Sequence, residues 1–239
     1  MRWNTPVLVW LLPVVYLMAF LSPLMAGEVT DEFDGPNLDS KLWVIKEAGN
    51  ASHSIKDGVL TMSSPTVDSS SILYFPINIA DLDITFEVAM DTSSMGDHIV
   101  MGGLAGLMEP AINTEIGWNW LSLFLLVPNN AILKQDPDQP GQAFPPTASE
   151  VPYDPGWRVF KIEFGEDKTI FYIDDKEVGE VEKNKKLEER YFHLSPDDFT
   201  SHYSGEVAIE YIRISGPGAD VLAVEPLGRL ATTWAKVKG

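Results

Sequence analysis

Hydrophobic and polar residues alternate along several short stretches of the chain, with the two-residue period of a β-strand that has one buried and one solvated face. In the clearest stretch, 81–90, the apolar positions of one face are Leu82, Ile84, Phe86, Val88 and Met90. Similar stretches predict further strands at 42–46, 59–63, 71–75, 98–106, 116–127, 131–134, 157–164, 169–173, 177–181 and 206–215. Turn residues separate these stretches, which favours a sandwich or barrel over repeated βαβ units.

Two segments lack the alternation. Residues 136–156 contain six prolines, and this composition predicts a long surface loop. Residues 217–239 follow the last strand, and within them 227–237 predicts a short helix that either docks on the strands or extends as a tail. The strands between residues 27 and 216 span the length of one all-β domain, so we expect a single β-sandwich followed by this C-terminal tail.

The first 26 residues have the pattern of an export signal. Arg2 precedes an apolar stretch at 7–21, and the small residues Ala26 and Gly27 follow. A positive start, a short apolar run and a small-residue exit are typical of a secretory signal peptide. We expect cleavage after Ala26, with an uncleaved membrane anchor as the alternative. In either case we expect an extracellular, periplasmic or cell-surface location.

The formal net charge is −18, and the chain contains no cysteine. Nucleic acid is not an expected partner, because phosphate binding requires clusters of Lys and Arg. The lack of cysteine excludes disulfides, thiolate metal sites and cysteine nucleophiles. No phosphate loop, dinucleotide fingerprint or G-x-S-x-G elbow occurs in the sequence. Neutral glycans and calcium remain compatible with the acidic composition.

Four stretches occur together in a characteristic order: Asp-Glu-Phe-Asp-Gly at 31–35 with Trp43, Lys-Asp-Gly-Val-Leu-Thr-Met at 56–62, then 157–178 and 207–214. Their order and spacing resemble the concanavalin A-like lectin/glucanase superfamily, in the style of laminarinase- and lichenase-type glycoside hydrolases and their non-catalytic relatives. The resemblance implies a jelly roll of two antiparallel sheets packed face to face, one of them curved so that its concave face forms a groove.

Enzymes of this superfamily carry Glu-x-Asp-x-Glu on one strand, where alternate side chains point into the groove. A retaining mechanism requires a nucleophile and an acid/base with carboxyl groups roughly 5–5.5 Å apart. The matching stretch here is 115–120, where Glu115 stands at the nucleophile position, Gly117 replaces the aspartate and Asn119 replaces the acid/base. An amide cannot donate and recover a proton at neutral pH, so we expect no catalysis by this motif.

The same strand offers the groups that sugars require, namely aromatic faces for C–H surfaces and polar groups for hydroxyls. The candidate ligand-binding residues are Trp118, Trp120, Asn119 and Glu115. Alternation places the tryptophans on one face, and Asn119 with the leucines at 121, 123 and 125 on the other. If the leucine face is core, the tryptophans line the groove; if Glu115 and Asn119 face the groove, the tryptophans are buried. Both registers remain open. Asp97, His98 and Tyr153 are further candidates.

The resemblance also implies a structural calcium ion, bound by the backbone carbonyls of Glu32 and Gly58 and by the side chain of Glu210. Calcium takes hard oxygen ligands, and Glu210 stands where the family has aspartate. The four histidines are dispersed along the chain without the spacing of a transition-metal site, and we expect most of them at the surface.

The sequence therefore predicts an exported, non-catalytic carbohydrate-binding module of the lectin type, with a glycan or polysaccharide as partner. One alternative is a divergent glycoside hydrolase or sugar-modifying hydrolase on the same scaffold, with an acid pair from other strands, for example Glu87 or Asp97. Another is a structural or protein-interaction domain of a cell envelope. A membrane is a partner only if residues 1–26 stay attached.

Overall fold

The computed structural model describes residues 27–106, 120–138, 146–196 and 204–223. Fifteen strands occur within those ranges. In chain order they are β1 (Gly27–Asp31), β2 (Val44–Ala48), β3 (Ser52–Lys56), β4 (Val59–Ser64), β5 (Ser70–Tyr74), β6 (Ile84–Asp91), β7 (Ile99–Leu104), β8 (Trp120–Val127), β9 (Asn130–Lys134), β10 (Thr147–Pro152), β11 (Trp157–Phe164), β12 (Lys168–Ile173), β13 (Lys176–Glu182), β14 (Tyr191–Ser195) and β15 (Gly205–Gly216). A 3-10 turn at Pro217–Ala219 and a short helix at Asp220–Ala223 follow.

The described strands pair into two antiparallel sheets. The eight-stranded sheet has the order β13-β12-β11-β6-β15-β4-β3, and β1 pairs with the second half of β15. The seven-stranded sheet has the order β10-β9-β8-β7-β14-β5-β2. Consecutive strands often lie in different sheets, as β5, β6 and β7 do. This crossing between two packed sheets is the jelly-roll arrangement, so the predicted all-β sandwich is confirmed.

The core lies between the two sheets and is built by alternate residues of each strand. Phe86 and Phe164 enter it from the eight-stranded sheet, and Phe124 and Phe192 enter it from the seven-stranded sheet. Phe86 and Phe192 stack with their ring centroids 4.0 Å apart, so the two sheets are in direct contact. Removing such a ring typically costs about 3–5 kcal/mol of stability. The inward face predicted for the stretch 81–90 is therefore confirmed.

The strand predictions differ from the structure mainly at sheet edges. Residues 147–152 form β10, where the proline content predicts a loop, and β10 is an edge strand of the seven-stranded sheet. An edge strand tolerates proline because one side of its backbone makes no ladder bonds. β3 escaped prediction because nearly all of its side chains are exposed. β1 and β14 also escaped prediction.

The first and last strands of the sandwich are neighbours in the same sheet, and Gly27 of β1 pairs with Gly216 of β15. A Cβ atom on Gly27 would stand 2.8 Å from the carbonyl carbon of Ala219, so this close approach requires glycine. The predicted signal segment and the predicted helix at 227–237 lie outside the described residues. Across the described ranges, no helix is long and apolar enough to cross a membrane.

Candidate functional site

One of the four predicted ligand-binding residues, Trp120, lies within the described residues. Trp120 is the first residue of β8, whereas Glu115, Trp118 and Asn119 lie outside the described residues. β8 is an internal strand of the seven-stranded sheet, between β7 and β9. Trp120 is therefore the candidate whose surroundings the structure shows.

Trp120 points away from the core because β8 is irregular near its start. Phe124 faces the core, and strict alternation would place Trp120 on that same face. Instead the ladder with β7 shifts register between Gly102 and Leu104, so Trp120 pairs with Leu104 and lies on the outer face together with Leu123. A β-bulge redirects side chains in this way. The predicted separation of Trp120 from Leu123 is therefore wrong.

An apolar cluster covers the outer face of the seven-stranded sheet around Trp120, and we call it the outer-face cluster. Its buried members are Ile72, Tyr74, Val100, Leu104, Trp120 and Leu123, with Val44 and Leu125 packed against them. Trp120 is 2% exposed. Its indole thus serves as packing beneath the site, and it does not present an open stacking surface.

His193 lies on the same outer face of the sheet. Its neighbours Phe192 and Leu194 on β14 face the core, and its ring is buried. Nδ1 donates a hydrogen bond to the carbonyl of Gly102 at 3.0 Å. Burial lowers the pKa of His193 to about 3, against a smaller opposite effect of that hydrogen bond. The imidazole is therefore neutral near pH 7. The predicted surface location is wrong for His193 and also for His98, which is buried.

A buried ion pair lies near the start of β8. The Arg190 guanidinium donates to Asp136 Oδ2, and both side chains are at most 1% exposed. Asp136 Oδ1 also accepts from the N–H and the hydroxyl of Ser122 at 2.7 Å each, and Oδ2 accepts from the N–H of Asn184 at 2.8 Å. The pair ties β8 to the β13–β14 connection. Sequence reasoning missed it because Asp136 falls in a stretch that reads as a loop.

The further candidates from the sequence lie apart from one another. Tyr153 packs in the core, and its hydroxyl donates to the carbonyl of Val127 at 3.3 Å. Asp97 is exposed before β7 and accepts the N–H of Ser204 at 3.1 Å. Glu87 lies on the outer face of the eight-stranded sheet, since Phe86 and Val88 beside it face the core. Glu87 lies within β6, whereas Asp97 lies in the β6–β7 connection next to Ser204, so the structure does not bring these two carboxylates together.

The predicted calcium ligands line one surface pocket of about 330 Å³, formed by Glu32, Asp57, Gly58, Val59, Glu210 and Tyr211. Glu210 is the extra residue of a bulge in β15, and a Cβ on Gly58 would stand 3.6 Å from the carbonyl oxygen of Glu32. The oxygen donors match calcium in type. Among the described side chains, no group of three or more His, Asp or Glu is arranged to hold a metal ion. Backbone carbonyls would therefore have to complete the ligand set.

No family model matches the sequence, and no curated protein matches it. Solved structures do match at low identity. A protein of unknown function from Shewanella oneidensis MR-1 is 15% identical, with 90% of this chain and 98% of that chain covered, at a TM-score of 0.55. An endo-β-1,3-glucanase from Pyrococcus furiosus is 15% identical (79% and 93% covered, TM-score 0.54). The carbohydrate recognition domain of Emp47p is 12% identical (80% and 97% covered, TM-score 0.56).

The sheet order and these matches define the protein as a concanavalin A-like jelly roll. The resemblance seen in the sequence is confirmed at the level of the fold. The same fold carries both a glucanase and a carbohydrate recognition domain among the matching structures. Fold does not determine function, so activity has to be argued from the residues of the site.

Proposed function

We propose that this protein binds a glycan without cleaving it, on the outer face of the seven-stranded sheet where β8 begins. The observation that carries the proposal is the direction of Trp120, which points to that outer face and away from the core. In the sequence pattern Trp118 shares a face with Trp120, whereas Glu115 and Asn119 belong to the other face, so Trp118 would contact the sugar. The outer-face cluster would form the base beneath it.

The residues of this strand favour binding over hydrolysis. Glucanase chemistry requires two carboxyl groups at the scissile bond, and the stretch 115–120 contains one, that of Glu115. His193 lies on the same sheet face, but its lowered pKa keeps the imidazole neutral at pH 7, and its Nδ1–H is donated to the Gly102 carbonyl, so the ring is not an imidazolium that could act as a general acid. It therefore does not replace the acid/base carboxyl group that is missing at Asn119.

The carbohydrate class and the exported location belong to the same proposal. Support for the ligand class comes from the scaffold, which is shared with an endo-β-1,3-glucanase and a carbohydrate recognition domain. Support for export comes from the signal-like residues 1–26. Comparing the gel mobility of the exported protein with that of a chain starting at Glu28 tests cleavage, since equal mobility is expected after removal of the signal.

A glycan array probed with the mature protein tests the ligand class. We expect retention of at least one neutral glycan, and we expect Trp118→Ala to weaken it by about tenfold, because a central aromatic contact typically contributes this much. Glu206→Gln, an exposed carboxylate on the other sheet, is the matched control and should bind like wild type.

An assay of reducing ends after incubation with laminarin and lichenan separates the alternatives. Turnover would overturn the non-catalytic proposal in favour of a divergent hydrolase. Absence of both turnover and glycan retention would favour a structural or protein-interaction domain of the cell envelope.

We also propose that the pocket formed by Glu32, Gly58 and Glu210 binds Ca²⁺. The ion would be held by the two backbone carbonyls and the Glu210 carboxylate, and its role would be structural. It would join the end of β1, the β3–β4 turn and β15, which are distant in the sequence but line one pocket.

A further inference from the structure

The outer face of the eight-stranded sheet carries a half-exposed tryptophan. Trp157 is 48% exposed, and within the described ranges Val67 is the other large hydrophobic residue that is exposed. Tryptophan is highly buried on average. Trp157 begins β11 and pairs with Asp91 of β6, which in turn pairs with Ala208 of β15. These three residues form one row across the sheet on the side away from the core.

The backbone on both sides of Trp157 is held firmly. The N–H of Gly156 donates to the hydroxyl of Thr92 at 3.2 Å, and the N–H and hydroxyl of Thr92 both donate to the Gly156 carbonyl at 3.1 Å. On the other side, Arg158 donates to the Asp154 carbonyl at 2.9 Å and to Asp174 Oδ2 at 3.1 Å. These bonds fix the segment that carries Trp157, so a ligand would lose little conformational entropy in ordering its backbone.

The row of residues next to Trp157 on this face contains Val159, Ala89 and Tyr211, which are paired across β11, β6 and β15. With strands about 4.8 Å apart, Trp157 and Tyr211 lie two strands and one row from each other, about 12 Å between their Cα atoms. Ala208 is small and half-buried, whereas Ala89 is 4% exposed and is covered by its neighbours, so a sugar chain would pass over Ala208.

The three aromatic rings of this face differ in what covers them. Lys161 Nζ lies 3.9 Å from the ring centroid of Tyr172, and the Arg213 guanidinium lies 5.3 Å from that of Tyr211. Within the described part of the chain, no cation or second ring covers Trp157. Its face is therefore the one available for a sugar, while Tyr211 contributes its edge and its hydroxyl.

Polar groups around Trp157 match sugar hydroxyls. Asp91 Oδ1 accepts from the N–H and hydroxyl of Ser93 at 2.9 and 2.6 Å. These bonds orient the carboxylate, and Oδ2 makes no hydrogen bond to the other described residues. The Tyr211 hydroxyl donates to Glu87 Oε1 at 2.9 Å and keeps an acceptor lone pair. Asp154, three residues before Trp157, is also exposed, and with a net charge of −18 the protein would repel a phosphate or other anion.

We propose that Trp157, Asp91 and Tyr211 form a second contact surface, which binds a neutral glycan chain on the outer face of the eight-stranded sheet. The inference takes its ligand class from the proposed function, but it concerns the opposite sheet. The ligand would stack one ring on Trp157 and donate a hydroxyl to Asp91.

Native gels containing laminarin, lichenan or galactomannan test this surface. We expect at least one of these neutral polysaccharides to retard the wild type. Trp157→Ala should raise the dissociation constant about tenfold or more and Asp91→Asn should raise it severalfold, whereas Trp157→Phe should keep most of the retardation. Val67→Ala, at the other exposed apolar residue, is the matched control and should behave like wild type. Unchanged melting temperatures confirm that the variants fold.

The variants distinguish the two sheets. If Trp157→Ala loses retardation and Trp118→Ala keeps it, the surface proposed here is supported and the site at β8 is not. If Trp118→Ala loses retardation and Trp157→Ala keeps it, the proposed function stands and this inference is overturned. Loss in both variants supports both surfaces. A wild-type protein that none of the three polysaccharides retards overturns the surface proposed here.

Discussion

His193 lies between two core-facing residues of β14, and its own side chain is enclosed on the outer face of the sheet. In the unfolded chain a histidine has a pKa near 6.5, whereas burial lowers the pKa of the folded His193 to about 3. Between these values the unfolded state binds a proton that the folded state does not. The contribution of His193 to the free energy of unfolding is therefore fully present above about pH 6.5, and it is lost as the pH falls from about 6.5 to about 3.

Replacing His193 with Gln, whose amide can still donate to the Gly102 carbonyl, removes this titration. Between about pH 6 and pH 4 we expect the wild-type free energy of unfolding to fall by about 1.4 kcal/mol per pH unit relative to the variant. Urea unfolding across that range measures the difference, and equal slopes would contradict the prediction. NMR titration of the wild-type imidazole gives an independent reading: its signals should stay constant down to about pH 4.

The β12–β13 hairpin is an element whose turn departs from the best sequence for its geometry. Asp174 and Asp175 have φ angles of 50° and 62°, which is the left-handed pair of a type I′ turn. The Asp174 side chain stabilises the turn, since its carboxylate accepts hydrogen bonds from the Val159 N–H and from the Arg158 guanidinium at 3.1 Å each. Asp175 makes no such bond within the described residues. Glycine is favoured at its position because it adopts positive φ without steric cost.

Asp175→Gly is therefore expected to raise the free energy of unfolding by about 0.5–1 kcal/mol. Asp174→Gly gains the same backbone freedom but loses two hydrogen bonds, so we expect it to be neutral or destabilising. Parallel urea unfolding curves of the two variants measure this order. A reversed order would show that the turn geometry does not control the effect.

Elements also show where sequence patterns stop being informative. The inward faces of β6 and β11 follow from alternation, because each of these strands buries one side. Four of the described ladders contain a register shift, and the shifts before Leu123 in β8 and at Glu210 in β15 change which side chains face the core. A bulge depends on the register that the partner strand imposes, and it cannot be recognised from the residues of the bulged strand alone. The orientation of Trp120 therefore could not be predicted, although its strand could.

At the scale of the whole molecule, the calcium proposal concerns how distant segments are joined. Glu32 follows the first strand, Gly58 lies in the β3–β4 turn and Glu210 belongs to the last strand, yet all three line one pocket. An ion bound there would stabilise the folded chain, because the unfolded chain does not hold these oxygens together.

Adding Ca²⁺ to chelator-treated protein should raise its melting temperature. At a concentration about 100-fold above the dissociation constant the gain is about 2.7 kcal/mol, which for a domain of this size is several degrees. Glu210→Gln should abolish the rise, and Glu206→Gln, exposed on the same strand, should preserve it. A melting temperature that neither chelator nor Ca²⁺ changes would contradict the site.

The sequence by itself determined the all-β fold class, eleven of the fifteen described strands and the core-facing sides of regular strands such as β6 and β11, because a strand with one buried side has apolar residues at every second position. It also determined that the stretch 115–120 lacks a second carboxyl group. Tertiary structure decided which strands pair, which strands lie at the edges, where the bulges fall and which histidines are enclosed. These features depend on contacts between residues far apart in the chain, and a local pattern contains no information about them.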